Sequence, residues 1–447
     1  MSSYSAALRA FDPVIARAIE NEERRQSTTV NLIASENYTH PEVLAASASV
    51  LTDKYAEGYP GKRYYAGQRY YDEIENLAIA RAKEVFRAEH ANVQPLSGSP
   101  MNQAVYFGLL EPGDTILAMD LSHGGHLTHG DPVSHIGKTF RFERYRTCNE
   151  RGDIDFDALL SQARACKPRM ILCGHSSYPR ELDYGAFKRV ADDVGALTMA
   201  DVSHVGGLIA GGALRNPVDD GFDVVTLTTH KTLRGPRGGL ILCRKEHAVA
   251  IDKSVFPGLQ GGPHMHSVAG VAIALKKAQS TEFQHYARQV LVNAQALASA
   301  MLAKGVTLVT GGTDNHLLVA NVKATYDLDG DVAQRRLESA GLVTNKQVIP
   351  DDTLRPMRPS GIRLGSPACT ARGMTAAVMA QIAEWIDQAV RTDSETVHAA
   401  VAREVADLCK RYPIPTLGGS GHYGQGRTVA GRRAAGWAAT RTDRWSI

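Results

Sequence analysis

A chain of 447 residues can build two or three compact units around a sizeable core. Hydrophobic content of 43%, charged content of 22% and a net charge of +3 are ordinary for a soluble protein, and that balance argues for neither a nucleic-acid nor a membrane partner. No apolar run approaches the roughly 18 residues of a membrane span, and the opening residues hold no apolar signal core, so a cytoplasmic setting is expected.

In chain order, residues 12–25 predict an amphipathic helix with Asp12 as N-cap and Pro13 in the first turn. Residues 31 to 72 read as a loop-rich stretch of Tyr, Gly, Asn and Glu, long enough to carry function or an interface. From about 80 to 285, short β-branched runs (Asp114–Met119, Met170–Cys173, Leu197–Ala200, Val224–Thr229, Gly239–Cys243) alternate with helical stretches such as Ala186–Val194. That alternation predicts an α/β domain on a mostly parallel or mixed sheet. A long helix from Ala287 to Leu302 and a strongly periodic Met374–Val390 predict a second, smaller α+β domain. The expected division is an N-terminal helical arm over 1–40, a large domain over 41–285, a small C-terminal domain over 286–413 and a tail over 414–447. The tail is Gly-rich, holds five arginines and one aspartate, and reads as a mobile end without a catalytic assignment. The six cysteines form no CxxC pair and no zinc spacing, so no metal is expected, and Cys173 and Cys243 read as small buried hydrophobes.

Chemistry enters at Leu96-Ser97-Gly98-Ser99, ahead of a helical run at about 101–110. Hydroxyls and a glycine at a helix start offer backbone N–H groups to an anion, although an ordinary serine N-cap reads the same way. Asp201 closes an apolar run at the carboxyl end of a strand, where α/β sheets bind ligands. It either meets a cation such as a protonated pyridine nitrogen or caps the next helix. Lys231 follows another strand in a Thr-, His- and Gly-rich loop, the setting of a Schiff-base amine, where a surface lysine is the default. An anion-binding helix start, an acidic strand end and a lysine strand end together are the layout expected for pyridoxal phosphate. In Ser360-Gly361-Ile362-Arg363-Leu364-Gly365, Arg363 would clamp a substrate carboxylate or form a structural salt bridge.

With these residues in place, the chain resembles the serine hydroxymethyltransferase family from about residue 10 to 412. The resemblance rests on Leu32-Ile33-Ala34-Ser35-Glu36-Asn37-Tyr38, the run Lys54–Tyr65, the run Ser122–Gly130, Thr229-His230-Lys231-Thr232-Leu233 and Gln260-Gly261-Gly262-Pro263. It implies a fold type I pyridoxal-phosphate transferase, at least a homodimer, with a dimer of dimers as the larger alternative, and active sites shared between subunits. By that resemblance Lys231 carries the cofactor, His126 stacks on its ring, Asp201 pairs with the pyridine nitrogen, and Ser176 and His204 lie near the ring oxygen. Ser97, Gly98, Ser99 and His230 hold the phosphate, with Tyr55 and Gly262 reaching in from the neighbouring subunit. Ser35, Tyr65 and Arg363 bind the amino acid. Glu57, also from the neighbour, handles protons around the hydroxymethyl group and tetrahydrofolate, with Tyr64 and Tyr65 beside it. Leu121, Gly125, Leu127 and Gln347 line the folate site.

Several positions depart from the family pattern: Pro100 and Met101, His175, Ser203 with Gly206, Leu227, and the stretch from Gln347 through Ile349 to Met357. Altered packing around an intact catalytic set is how room for a bulkier α-carbon would be opened. A specialised alanine/2-methylserine hydroxymethyltransferase is therefore placed ahead of the ordinary glycine/serine enzyme. A folate-independent threonine aldolase or transaldolase stands third, and a catalytically silent binding paralogue is opposed by the intact Lys231, Asp201 and Glu57.

Overall fold

Asp12 caps the first long helix, accepting from the Val14 and Ile15 amides, with Pro13 in the first turn of Pro13–Thr28. This computed structural model describes residues 3–148 and 151–416, so the tail expected over 414–447 lies almost wholly outside the described residues.

The stretch expected as loop from 31 to 72 is more ordered than that. It contains helix Pro41–Ser47, a hairpin of Gly58–Tyr59 with Lys62–Arg63, and the start of helix Arg69–Phe86. Strands of two residues are too short to show alternation, so the hairpin leaves no periodic signal. Gly58 is required there: its φ is 95°, and a Cβ would lie 2.3 Å from the Lys62 carbonyl oxygen. The turn is anchored by Arg63, which donates to the carbonyls of Ala56 and Gly58 and to the carboxylates of Asp72 (2.8 Å) and Glu75 (2.5 Å). Arg63 and Glu75 are both almost fully buried. Arg63→Met would strand the Glu75 charge, and urea unfolding is expected to register a loss of about 3–5 kcal/mol.

Seven strands form the central sheet, in the order His90–Asn92, Gly239–Cys243, Val224–Thr228, Leu197–Asp201, Met170–Gly174, Thr115–Met119, Arg141–Tyr145. The first two junctions are antiparallel and the others parallel. Met170–Gly174 and Val224–Thr228 are buried along their whole length, as parallel strands covered on both faces are. The two strands that the β-branched pattern does not reveal are the edges. His90–Asn92 is only three residues long, and Arg141–Tyr145 carries Arg141, Glu143 and Arg144, as exposed edges do. Parallel register brings three strand ends together: Gly174 lies opposite Asp201, and Asp201 opposite Thr226. Helix Gly98–Leu109 starts at the same edge, where a Cβ on Gly98 would lie 2.9 Å from Thr228 Cγ2.

A second, antiparallel sheet pairs Gly361–Gly365 with Leu317–Asn321 on one side and Asn345–Gln347 on the other. Its core includes Leu318, Ile362, Leu364, Ile382, Trp385 and Ile386. Helix Thr281–Ala303 serves both cores, with Phe283, Tyr286 and Val290 in the first and Leu297 and Met301 in the second. The boundary expected at 285 falls inside this helix. Val30–Asn31 pairs in parallel with Leu342–Val343, and the Gly365 amide donates to the Leu32 carbonyl, so the segment leading to Ser35 is stitched to the small sheet. Among the described residues no helix is long and apolar enough to cross a membrane.

Candidate active site

The converging strand ends open onto a cavity of about 360 Å³. Ser35, Ser97, Gly98, Ser99, His126, Ser176, Asp201, His204, His230, Lys231 and Arg363 all line it, from segments far apart in the chain.

Asp201 is buried and accepts on both oxygens, with Oδ1 retaining a free lone pair. Its Oδ2 accepts from Asn102 Nδ2 (2.9 Å) and His129 Nε2 (3.1 Å), and its Oδ1 accepts from the Ser203 amide (3.0 Å). Burial opposes its charge, but the His129 hydrogen bond and the neighbouring His129 and His126 rings hold the carboxyl well below the usual carboxylate range. The next helix, Gly206–Ala210, takes Val205 as its N-cap, so the capping reading of Asp201 fails. Asn102 and His129 were not picked out by sequence reasoning. His129 Nδ1 accepts from the His126 amide at 3.2 Å, which leaves its proton on Nε2, facing Asp201. Asn102 is oriented by Thr226, whose hydroxyl donates to its Oδ1. The available signal was position: residue 102 lies one turn into a helix whose start faces the strand ends. The His126 Nδ1 accepts from the Thr128 amide, and burial, with His129 adding, lowers the ring to about 4, so it is neutral at pH 7. His126, His129 and Asp201 are close enough to hold a metal ion. His129 Nε2 and Asp201 Oδ2 already face each other at 3.1 Å, as a hydrogen-bonded pair does.

Lys231 sits in a turn closed by the Arg234 amide on its carbonyl (3.1 Å), and Asn37 Nδ2 donates to the same oxygen at 3.1 Å. Burial lowers its ammonium to about 8, against the pull of Asp201, with Arg363 and Arg237 lowering it further. The folded value lies below the usual 10.5, so the neutral, nucleophilic amine is populated from about pH 8 upward. Recapture of pyridoxal phosphate by cofactor-free protein, followed by absorbance, is expected to reach half its maximal rate near pH 8; a midpoint near 10 would contradict this.

Uncommitted donors gather at the start of helix Gly98–Leu109. Ser97 is extended, its side chain makes no capping bond, and the first turn holds no acidic residue. Pro100 falls within that first turn, where its missing N–H removes no helical bond. His230 Nδ1 is buried without a partner among the described residues, and Arg237, also missed by sequence reasoning, lines the same cavity. These donors suit a phosphate, the ionised Asp201 suits a pyridinium, and the deprotonable Lys231 suits an aldehyde. The residues present fit pyridoxal phosphate.

Arg363 is buried at the cavity wall and forms no ion pair among the described residues, which removes the structural salt-bridge reading. Its Nη1 donates to the Ser176 carbonyl (2.6 Å), Nη2 reaches Ser35 Oγ at 3.5 Å, and Nε donates to Asn345 Oδ1 (3.2 Å). Behind it stand three buried rings. His204 Nδ1 lies 3.2 Å from Nε2 of His316, a residue no local pattern marked, and the His175 ring lies 6.3 Å from that of His204.

Tyr55, Glu57, Tyr64, Tyr65 and Gly262 do not line this cavity. They form a cluster of their own: the Tyr55 and Tyr65 rings are 5.6 Å apart, Tyr64 stacks edge-on to Phe256, and a Cβ on Gly262 would lie 2.8 Å from Tyr55. Tyr55, Tyr64 and Tyr65 are 63%, 73% and 48% exposed, and the Glu57 carboxylate has no hydrogen-bond partner among the described residues. Leu121 and Leu127 lie on two short 3-10 turns flanking Gly125, and Gln347 ends a strand of the small sheet; these too lie outside the cavity.

Most departures from the family pattern fall in packing. Leu227 is buried, and a Cβ on Gly206 would lie 2.6 Å from its Cδ1, so the larger residue fills room left by the smaller one. Met101 packs against Gly239, Ile349 against Gly361, and Met357 is exposed. Only His175 and Ser203 face the cavity.

The profile of the family described as serine hydroxymethyltransferase matches residues 8–386. The chain belongs to the serine hydroxymethyltransferase family. Proteins named serine hydroxymethyltransferase from Desulfotalea psychrophila and Sorangium cellulosum are each 50% identical over 412 residues, covering 92% of this chain and 96% and 97% of theirs. A third, from Acidothermus cellulolyticus, is 49% identical over 419 residues, covering 92% of this chain and 98% of its own. Serine hydroxymethyltransferases are fold type I enzymes that use pyridoxal phosphate, with tetrahydrofolate as co-substrate, in hydroxymethyl transfer.

Proposed function

We propose that the protein interconverts serine and glycine, passing the one-carbon unit to and from tetrahydrofolate. The observation that carries this reading is Asp201, Lys231 and Arg363 lining one cavity beside an uncommitted helix start. The preference for alanine and 2-methylserine expected from the departures is not supported. The relatives at about half identity are named for serine, and all the departures but His175 and Ser203 lie outside the cavity wall.

When bound, pyridoxal phosphate supplies an electron sink for the pair left on the amino-acid α-carbon. In this reading Ser97, Gly98, Ser99 and His230 bind its phosphate, and His126 lies on the ring with Ser176 and His204 near the ring oxygen. Asp201 keeps a proton on the pyridine nitrogen. Lys231 holds the cofactor and serves as the local amine. Arg363 and Ser35 bind the amino acid's carboxylate, a bidentate match for a guanidinium. Glu57, with Tyr64 and Tyr65, is delivered from a second copy of the chain, together with Tyr55 and Gly262. The exposed aromatic patch around Glu57 supports such a dimer. Leu121, Gly125, Leu127 and Gln347 would meet the folate. We read the two sheets as two domains and place the enzyme in the cytoplasm, in keeping with the buried thiols of Cys173, Cys243, Cys369 and Cys409.

One assay tests the reading: methylene-tetrahydrofolate formation from serine and from 2-methylserine, each with and without tetrahydrofolate. Serine is expected to be favoured by roughly tenfold or more, the discrimination a methyl-sized difference supports. Preference for 2-methylserine would point to His175 and Ser203, the two departures in the cavity wall, and turnover of a β-hydroxy amino acid only without folate would indicate an aldolase. Glu57→Gln is expected to keep the bound cofactor's absorbance while folate-linked turnover falls about 10²–10⁴-fold, and full activity would remove Glu57 from the proton path.

A further inference from the structure

Behind the turn that carries Lys231 lies a second cavity, of about 330 Å³, which shares no lining residue with the first. It sits where the two cores meet, with Phe283 and Tyr286 from one and Met374 from the other in its walls. Arg234 reaches it from the Lys231 turn. That side chain is only 6% exposed, its guanidinium lies 5.2 Å over the Tyr286 ring, and its Nε donates to the Tyr38 carbonyl (3.0 Å). Its two terminal nitrogens have no partner among the described residues. His40, in the same wall, has its Nε2 buried and likewise unpartnered. Burial lowers the His40 ring to about 3, so it is neutral, while the Arg234 terminal nitrogens open onto the cavity; buried polar groups are normally matched, and both are available to a ligand. Lys277 also reaches the wall, its ammonium already paired with Glu42 (2.7 Å), and Glu282 is the one carboxylate among the lining residues.

We propose that this cavity binds a small organic anion, its carboxylate or phosphate head held by Arg234 and His40 and its body lying against Phe283 and Tyr286. A guanidinium already oriented by a ring and a backbone carbonyl presents its fork to an oxyanion with little further ordering. The cavity is joined to the catalytic turn by short links. The Arg234 amide holds the Lys231 carbonyl, and Asn37 Nδ2 donates both to that carbonyl (3.1 Å) and to the Tyr286 hydroxyl (2.7 Å). An occupant leaning on Arg234 and Tyr286 therefore bears on the backbone of Lys231, and any effect on substrate affinity is reciprocal. The binding itself does not depend on which amino acid the enzyme uses.

The test is titration calorimetry on the holoenzyme with two probes, inorganic phosphate and succinate, which separate phosphate-bearing from carboxylate-bearing ligands. At least one is expected to bind the wild-type protein below about 50 mM. Arg234→Met should weaken that binding about tenfold or more and Arg234→Lys less, while Arg363→Met removes only what binds in the first cavity and leaves the Arg234-dependent binding in place. No binding of either probe, equal binding by Arg234→Met, or loss only in Arg363→Met would overturn the proposal. If Arg234→Met does not fold, crystals of the unmodified holoenzyme grown with selenate decide: an anomalous peak within hydrogen-bonding reach of Arg234 is expected, and its absence overturns the site.

Discussion

Lys231→Ala protein is expected to lose the long-wavelength absorbance of the lysine-linked cofactor, to release pyridoxal phosphate on dialysis, and to turn over at least about 10³-fold more slowly. The three readouts separate two roles. The helix start at Gly98, His230 and Asp201 are untouched by the change, so cofactor still enters the cavity but is held only by hydrogen bonds and charge. Added amine such as methylamine should restore part of the turnover, because what is missing is an amine and not a shape. An unchanged spectrum would remove Lys231 from its assigned role.

Asp201→Asn carries the second large effect. The replacement is nearly isosteric but uncharged, so it no longer favours a proton on the pyridine nitrogen, and kcat is expected to fall about 10²–10⁴-fold with a much smaller change in KM for the amino acid. His129 Nε2 and Asn102 Nδ2 both donate to Oδ2 of Asp201, so an asparagine amide turned toward them would leave donors facing donors. The other orientation faces the Ser203 amide with the same conflict. A stability loss of about 1–3 kcal/mol should therefore accompany the kinetic one. The pairing of those losses identifies the role: loss of stability with retained kcat would make Asp201 structural only.

The parts of the fold legible from sequence are those in which burial dictates residue type. Gly239–Cys243 and Met170–Gly174 read as apolar runs because both faces of the sheet are covered, and Asp12 with Pro13 marks a helix start by local hydrogen bonding alone. His90–Asn92 and Arg141–Tyr145 escape because an edge strand takes its partner on one side only and tolerates charge. In the site, Lys231, Asp201 and Ser97–Ser99 announce themselves by where they stand relative to strand and helix ends. Asn102, His129 and His316 act through contacts made across 72 to 112 positions of chain, and no local spacing encodes such contacts. The departures misled for the same reason. Gly206 and Leu227 look like two changes near the cofactor, yet across the sheet they are one exchange of volume.

Arg363 is already occupied: its Nη1 holds the Ser176 carbonyl, while its strand belongs to the small sheet and Ser176 follows a strand of the large one. That hydrogen bond is a latch between the two halves of the molecule, made by the same fork that a substrate carboxylate would claim. If Arg363 binds the amino acid's carboxylate as proposed, the arriving substrate must share or release that bond. In that reading, loading the site would exchange one of several bonds between the segments of the two sheets, others such as Asn315 Nδ2 to the Tyr178 carbonyl (3.0 Å) staying in place, and product departure would restore it.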